Sequence, residues 1–309
     1  MSTVIPPALH QSSVPAEKLL HSANSGMIVE RTAQVRGEYH SESRKFARAT
    51  ADYITRTQPG VASVFVYEET FGTKDMVHWL IHLHSMDDYE SLVRMGTEDE
   101  EYRALFGRDW IPAGRGGGWA GMFVDGSLRE TVLLPQFWGM YGTRVDDDRE
   151  RRTEVFENDT AEVRLPPARH QTEQPDDLLL HSANAGIVLH RTAQIVYDFR
   201  SEAREFAREA ATAINDNLAG EATVLLYEDA FGPMDRIHWL IHLRSLGTYQ
   251  RLLQLHVRDE SVREIFFRER SPEKGPGTWA RMFVQGSFQD TALTPHHWGL
   301  YATDTPAGG

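Results

Sequence analysis

The chain contains no cysteine among its 309 residues, which excludes disulfides, thiolate nucleophiles and cysteine-ligated zinc or iron–sulfur centres. It is almost as poor in lysine. Only Lys18, Lys45, Lys74 and Lys274 stand among 32 basic residues, a bias that hints at a GC-rich bacterial genome. Positive charge is in deficit too: 45 acidic residues leave a formal net charge of −13. A phosphate-binding protein needs a basic footprint, so nucleic acid is not an expected partner. The mixed-sign stretch DDDRERRTE reads as solvated surface. No apolar run reaches the ~18 residues of a membrane span. The start MSTVIPPALHQSSVPAEK lacks the basic and apolar regions of a secretory signal. A cytoplasmic protein without a membrane partner is expected. There is no phosphate loop after a strand and no GxSxG nucleophile elbow.

What the chain does have is a duplication. IPPALHQSSVPAEKLLHSANSG at Ile5 matches LPPARHQTEQPDDLLLHSANAG at Leu165, and the register holds through RTAQ, FAR, YE..FG, HWLIHL, MFV.GS and WG.Y. Close to half of the aligned positions are identical, with no net insertion. The stretch between the copies is polar and acidic without apolar periodicity, which marks a linker. The expected organisation is a first repeat with its N-terminal arm over 1–143, a linker over 144–164, a second repeat over 165–303 and a tail over 304–309.

Within one copy, Met27 to Val35 alternates as a strand and SESRKFARATADYITRT forms a helix behind a serine cap. Val61 to Tyr67 is a β-branched and aromatic strand, EETFGTKD a turn, and Met76 to His84 the next strand. MDDYESLVRMGTEDEEYRALF reads as one helix, and Trp119 to Ser127 as a fourth strand after the Gly-rich AGRGGG. The order β-α-β-β-α-β is the ferredoxin-like split βαβ unit, an α+β class.

A unit of this order and length resembles the dimeric α/β-barrel superfamily, which includes antibiotic-biosynthesis monooxygenase-like proteins. The resemblance covers nearly all of both repeats and rests on topology and alternation. It implies two sheets closing face to face with helices outside, here as one intrachain barrel built from two fused repeats. No catalytic motif of the family is present to carry over.

The segment VHWLIHLHS, from Val77 to Ser85, and its copy IHWLIHLRS, from Ile237 to Ser245, carry most of the histidine signal. As a helix, HWLIH would put two histidines on one face, suited to a metal. As a strand, Val77, Trp79, Ile81 and Leu83 form an apolar face, and His78, Leu80, His82 and His84 form the other. The period of two favours the strand. At ~3.3 Å rise per residue, His78 and His82 then lie too far apart to share one metal. The apolar face belongs against the helices and the histidine face toward the barrel interior. The first strand agrees, with Ile28, Glu30, Thr32 and Gln34 on the interior side and Val188, His190, Thr192 and Gln194 in the second copy. So polar an interior is expected to be a lined cavity, although histidines packed there as hydrogen-bonded core groups explain the pattern as well.

The copies also differ. Glu30 becomes His190, His84 becomes Arg244, Gly121 becomes Arg281, and QFWG becomes HHWG at His296 and His297. His21 and His181, in LLHSAN.G, could cap a cavity mouth and orient a ligand, but read first as ordinary turn residues, and His10 and His170 as part of an extended arm. The catalytic candidates are His78, His82, His238, His242, Glu30 and His190. Gln34, Gln194, Tyr67, Tyr227, Arg281, Trp138 and Trp298 are candidates to bind and stabilise substrate, the aromatics by stacking. The resemblance implies a tailoring enzyme for a polyketide-like aromatic metabolite, working by cofactor-free oxygenation or by cyclisation. A neutral histidine would be the base, and Arg or Gln would stabilise the enolate. The alternatives are a metal- or haem-dependent oxygenase with histidine ligands from both repeats, and a non-catalytic small-molecule binding protein. Association of two copies into a homodimer is open.

Overall fold

The computed structural model describes residues 5–137 and 166–296. The first half contributes β1 (Met27–Gln34), α1 (His40–Thr57), β2 (Ala62–Phe71), β3 (Met76–Leu83), α2 (Met86–Glu98), α3 (Glu100–Gly107) and β4 (Arg129–Pro135). The second half repeats the order with β5 (Ile187–Gln194), α4 (Arg200–Asn217), β6 (Ala222–Asp229), β7 (Arg236–Leu243), α5 (Leu246–Arg258), α6 (Glu260–Phe267) and β8 (Gln289–Pro295). All eight strands pair antiparallel into one closed barrel, in the order β1-β3-β2-β8-β5-β7-β6-β4. Each half is thus a four-stranded ferredoxin-like sheet, and the halves meet at two seams, β2 with β8 and β4 with β6.

The strand assignment of HWLIH holds, and so does its two-sidedness. Trp79, Ile81 and Leu83 pack with Phe46, Ala47 and Ile54 of α1 in the outer core of the first half. Leu80 turns the other way, into an interior core with Ile28, Phe65, Tyr67, Leu133 and their second-half counterparts. Helices cover the outside of the sheet because α1 and α4 present Phe46, Ala47 and Ala51, or Phe206, Ala207 and Ala211, to it. The period of two along each strand against the 3.6 of each helix makes this layering the way to bury both.

Four local expectations are corrected. Trp119 to Ser127 is not a strand. It is a 3-10 turn (Trp119–Met122) followed by a single bridge from Phe123 to Val35. Trp119 stacks on Phe46 at 5.4 Å, so ring packing rather than sheet pairing claims this aromatic stretch, and RETVLLP supplies the fourth strand. The region after His84 is two helices, because the Asp99 carboxylate accepts from Tyr102 N and starts a new one. Helix α1 begins at His40 with no side-chain cap, so the serine cap is absent. The EETF segment continues β2, and the turn comes at Gly72 to Asp75, where both residues have positive φ. The whole of the expected linker, and the C-terminal tail, lie outside the described residues.

The N-terminal arm does something the sequence did not disclose. The Gln11 amide sits in the β2–β8 seam, donating to the carbonyls of Val66 and His296 and accepting from Val66 N. Gln171 makes the equivalent bonds to Leu226 and Gln136 at the β4–β6 seam. Each arm therefore fastens the joint between the halves.

Candidate functional site

Four of the predicted residues converge inside the barrel. His78 Nδ1 lies 2.8 Å from Glu30 Oε1, and its Nε2 lies 2.9 Å from Glu69 Oε1. His190 Nδ1 stands 3.3 Å from the same Glu30 oxygen. Its Nε2 is 2.8 Å from His238 Nδ1, and His238 Nε2 is 3.0 Å from Asp229 Oδ1. The result is an unbroken array, Glu69, His78, Glu30, His190, His238, Asp229, running from one half into the other. Strand pairing places it: His78 faces Thr32 and Tyr67 across its neighbours, and His238 faces Thr192 and Tyr227.

The protonation pattern follows from the partners. Burial works against a charge on His78, yet hydrogen bonds to Glu30 and Glu69 outweigh it and raise the imidazole to about 9. Burial of Glu30 favours its neutral form, but His190 and His78 hold its carboxyl well below the usual range. His238 is pushed down, chiefly by burial, with one carboxylate partner where His78 has two.

His82 and His242 do not join this array. Each is fully buried and tied to the opposite half: His82 Nε2 lies 2.9 Å from Ser182 Oγ, and His242 Nε2 lies 2.8 Å from Ser22 Oγ. The two serines also bond reciprocally, each backbone N–H donating to the other hydroxyl at 3.0 Å. The Nδ1 atoms face the carbonyls of Ser63 and Thr223, which only accept, so these rings are the Nδ1–H tautomer and take the serine protons at Nε2. Burial lowers both to about 3, so they are neutral clasps. His21 and His181 stack at 3.6 Å beside them, and burial lowers His21 to about 4.

Other predicted binding residues are elsewhere. Tyr67 and Tyr227 are buried and donate to the carbonyls of Ser182 and Ser22. Gln34 and Gln194 sit at strand ends and donate to the loop carbonyls of Lys74 and Met234. Arg281 is not in the interior at all. It lies in the 3-10 turn Trp279–Met282, bonded to the carbonyls of Arg270, Ser271, Lys274 and Pro276. A strand over Trp119 to Ser127 and its copy would have turned Arg281 into the interior; the 3-10 turn keeps it outside. Trp138 and Trp298, with His297, lie outside the described residues.

Among the described residues the barrel interior holds a buried side-chain core, and clefts lie outside it on the first half. One, of about 200 Å³, is lined by His40, Ser43, Arg44, Glu68, Glu69 and Asp75 among others. The other, of about 460 Å³, runs between sheet and helices and is walled by Phe46, Trp79, Tyr102, Phe106, Trp119 and Phe123. Arg31 and Glu130, paired at 2.6 Å, complete it with Thr50, Leu128 and Arg129. Among the described residues the indole N–H groups of Trp79 and Trp119 and the Tyr102 hydroxyl have no hydrogen-bond partner. In the second half Phe288 takes the place of Leu128. It packs at 5.9 Å from Trp239, 5.4 Å from Trp279 and 5.0 Å from Phe283, filling the corresponding space. Leu128 is half exposed.

A family model matches residues 1–301 of this sequence, the family of unknown function DUF6039. The chain belongs to that family. No curated protein matches it. Among solved structures, this DUF6039 protein is similar to one provisionally named a monooxygenase from Fusobacterium nucleatum, with a TM-score of 0.50 and 9% identity, covering 88% of this chain and 93% of that one. It is also similar to an anthrone oxidase-like protein (TM-score 0.45, 12% identity, 89% and 94% covered). A third is a mutant chlorite dismutase from Candidatus Nitrospira defluvii (0.40, 11%, 88% and 93%). At such identities the likeness is one of fold, that of the dimeric α/β barrel, here closed within one chain.

The interior histidines and carboxylates among the described residues do not fit a resident metal. Among the described residues no three His, Asp or Glu side chains are placed to hold one. Both ring nitrogens of His78, His82, His238 and His242 are already engaged, so a metal or haem iron would have to displace a buried partner. Among the described residues no helix is long and apolar enough to cross a membrane. Glu69, Asp229 and the Leu128/Phe288 exchange escaped the sequence reading. The signal was there, since Glu69 shares the alternating face of Tyr67 and Asp229 keeps its acid in the second copy.

Proposed function

We propose that the protein is an oxygenase-like enzyme that tailors a flat aromatic small molecule, bound between the sheet and helices of its first half. The observation that carries this reading is the six-aromatic pocket of about 460 Å³, whose counterpart is filled by Phe288. Its walls offer stacking surface, and its few polar groups can orient a ring carrying hydroxyl or carbonyl oxygens. The reaction class is taken from the name of the Fusobacterium protein that shares the fold.

In this reading the chemistry moves from the interior histidines to the pocket. Glu130, the carboxylate among its lining residues, accepts the proton of an acidic phenol or enol. Arg31 then pairs with the resulting oxyanion, helped by the free indole N–H groups. In oxygenation the enolate passes an electron to dioxygen, the substrate radical and superoxide combine into a carbon hydroperoxide, and loss of water leaves the new carbonyl. In cyclisation the enolate attacks a carbonyl of the same molecule. Secondary-metabolite polyphenols are the substrates that fit both. The test is oxygen consumption and product analysis with planar polyphenols and anthrones, comparing wild type with Glu130→Gln and Leu128→Phe. Turnover lost in both variants supports the reading. Tight binding without any product in wild type replaces it with that of a binding protein.

A further inference from the structure

The interior array is unused by the pocket chemistry, and its composition can be counted. Its three histidines offer six ring nitrogens, and every one faces another member of the array. With the carboxylates ionised, both nitrogens of His78 must carry protons, because each meets a carboxylate. So must His190 Nδ1, facing Glu30, and His238 Nε2, facing Asp229. The bond between His190 Nε2 and His238 Nδ1 holds one more. Five protons therefore occupy six nitrogens, and a nitrogen–nitrogen contact of 2.8 Å holds the vacancy.

The two ends differ. Glu69 both bonds His78 and lines the cleft of about 200 Å³ beside α1. Its second oxygen accepts from Thr73 N, and Gly72, at φ +149, leaves room where a Cβ would collide with that oxygen. At the other end the matching loop has Pro233, which has no N–H to give, and the buried Asp229 Oδ2 has no hydrogen-bond partner. In the second half Arg200 and Arg204, at the positions of His40 and Arg44, both bond Asp235. Replacement of one glutamate of a symmetric pair by His190 thus leaves His78 between two carboxylates and His238 between a carboxylate and an imidazole.

We propose that the array is a built-in proton store, with His78 as the reservoir and Glu69 as its gate, making the cleft beside α1 a second acid–base site for a small, single-ring or smaller weak base. The step is a single transfer. Glu69 takes the Nε2 proton of His78 and passes it to the base, leaving a neutral imidazole that keeps its Nδ1 proton on Glu30. Return reverses it, and no electron moves. The groups around His78 are Glu30 on β1, Glu69 and Tyr67 on β2, and His190 on β5. His238 and Asp229 act through His190 and are positioning residues.

The experiment is nitrogen NMR of the full chain with 15N-labelled histidines, assigned with His78→Gln and His238→Gln. Near neutral pH, His78 is expected to be protonated on both nitrogens and His238 on Nε2 alone. The His78 Nε2 proton is expected to exchange with water faster than that of His238, and added imidazole is expected to speed it. In Glu69→Gln this acceleration disappears, and the His78 titration midpoint falls by about one to three units, the scale of losing one charged partner. A singly protonated His78 near neutral pH overturns the proposal. So does exchange at His78 no faster than at His238, a comparison within the wild-type chain that holds even if Glu69→Gln fails to fold. The aromatic pocket plays no part in these readouts, so they stand or fall apart from its assignment.

Discussion

The Ser22 hydroxyl lies 2.8 Å from Nε2 of His242, joining residues of opposite repeats, and Ser182 repeats the bond to His82 at 2.9 Å. The two clasps share the reciprocal serine bonds at their centre. Replacing Ser22 by alanine leaves a buried imidazole nitrogen and the Ser182 N–H without partners. A loss of about 1–3 kcal/mol is expected for each of Ser22→Ala and Ser182→Ala. Because the clasps share atoms, the double variant should lose less or more than the sum, by about 0.5 kcal/mol or beyond. Urea titrations of the four proteins measure this, and simple additivity would mean that the clasps are independent.

The same region predicts acid sensitivity. His82 and His242 stay neutral to about 3, and His21 to about 4, while unfolded histidine titrates near 6.5. Between these values the unfolded chain binds more protons, so stability rises with pH across the window and is lost as pH falls. Above ~6.5 the contribution is complete. Urea midpoints from neutral pH down to ~5 should fall, and His21→Asn should flatten that slope. His78 has the opposite sign: its contribution is complete below ~6.5 and disappears as pH rises through about 9.

Arg204 on α4 is fully buried and forms a two-pronged pair with Glu228 at 2.7 and 2.6 Å, with Asp235 at 3.0 Å. Removing one partner strands a charge in the interior. Arg204→Met should cost about 3–5 kcal/mol, whereas replacing Arg204 and Glu228 together by apolar residues should cost much less. Thermal unfolding of the single and double variants distinguishes the two outcomes.

The exchange of Leu128 for Phe288 predicts a trade between the halves. Leu128→Phe should abolish quenching of tryptophan fluorescence by a planar phenol, since Trp79 and Trp119 line the pocket. Phe288→Leu should create a second quenching site near Trp239 and Trp279. It should also destabilise the protein by about 1–3 kcal/mol through the space it opens. Unchanged quenching in Leu128→Phe would place the ligand elsewhere.

The sequence disclosed the barrel because strands and helices differ in period, and HWLIH alternates without a break over the whole of β3. The same alternation placed His78, His238, Glu30 and His190 on one interior face. What it could not supply was depth and reach. His78 and His82 share a face, yet one meets carboxylates and the other a serine from the opposite repeat, a partner no local pattern names. Arg281 was misplaced for a different reason: aromatic residues that favour strands were taken up by ring packing instead. The Gln11 and Gln171 plugs depend on chain segments brought together from far apart, and so were invisible at the level of spacing.

Every strand of the barrel has a neighbour on both sides. Sheet proteins with a free margin can recruit another strand, from a peptide, a swapped domain or a growing fibril. Among the described strands none is left at a margin, since the fusion used both on each other. Any assembly of two copies therefore falls to helix faces and loops, such as the exposed Phe71 and Phe231 at the turns beside the seams. Closure of the sheet also removes the route by which a half-barrel would pair with the wrong partner, leaving the two repeats free to diverge.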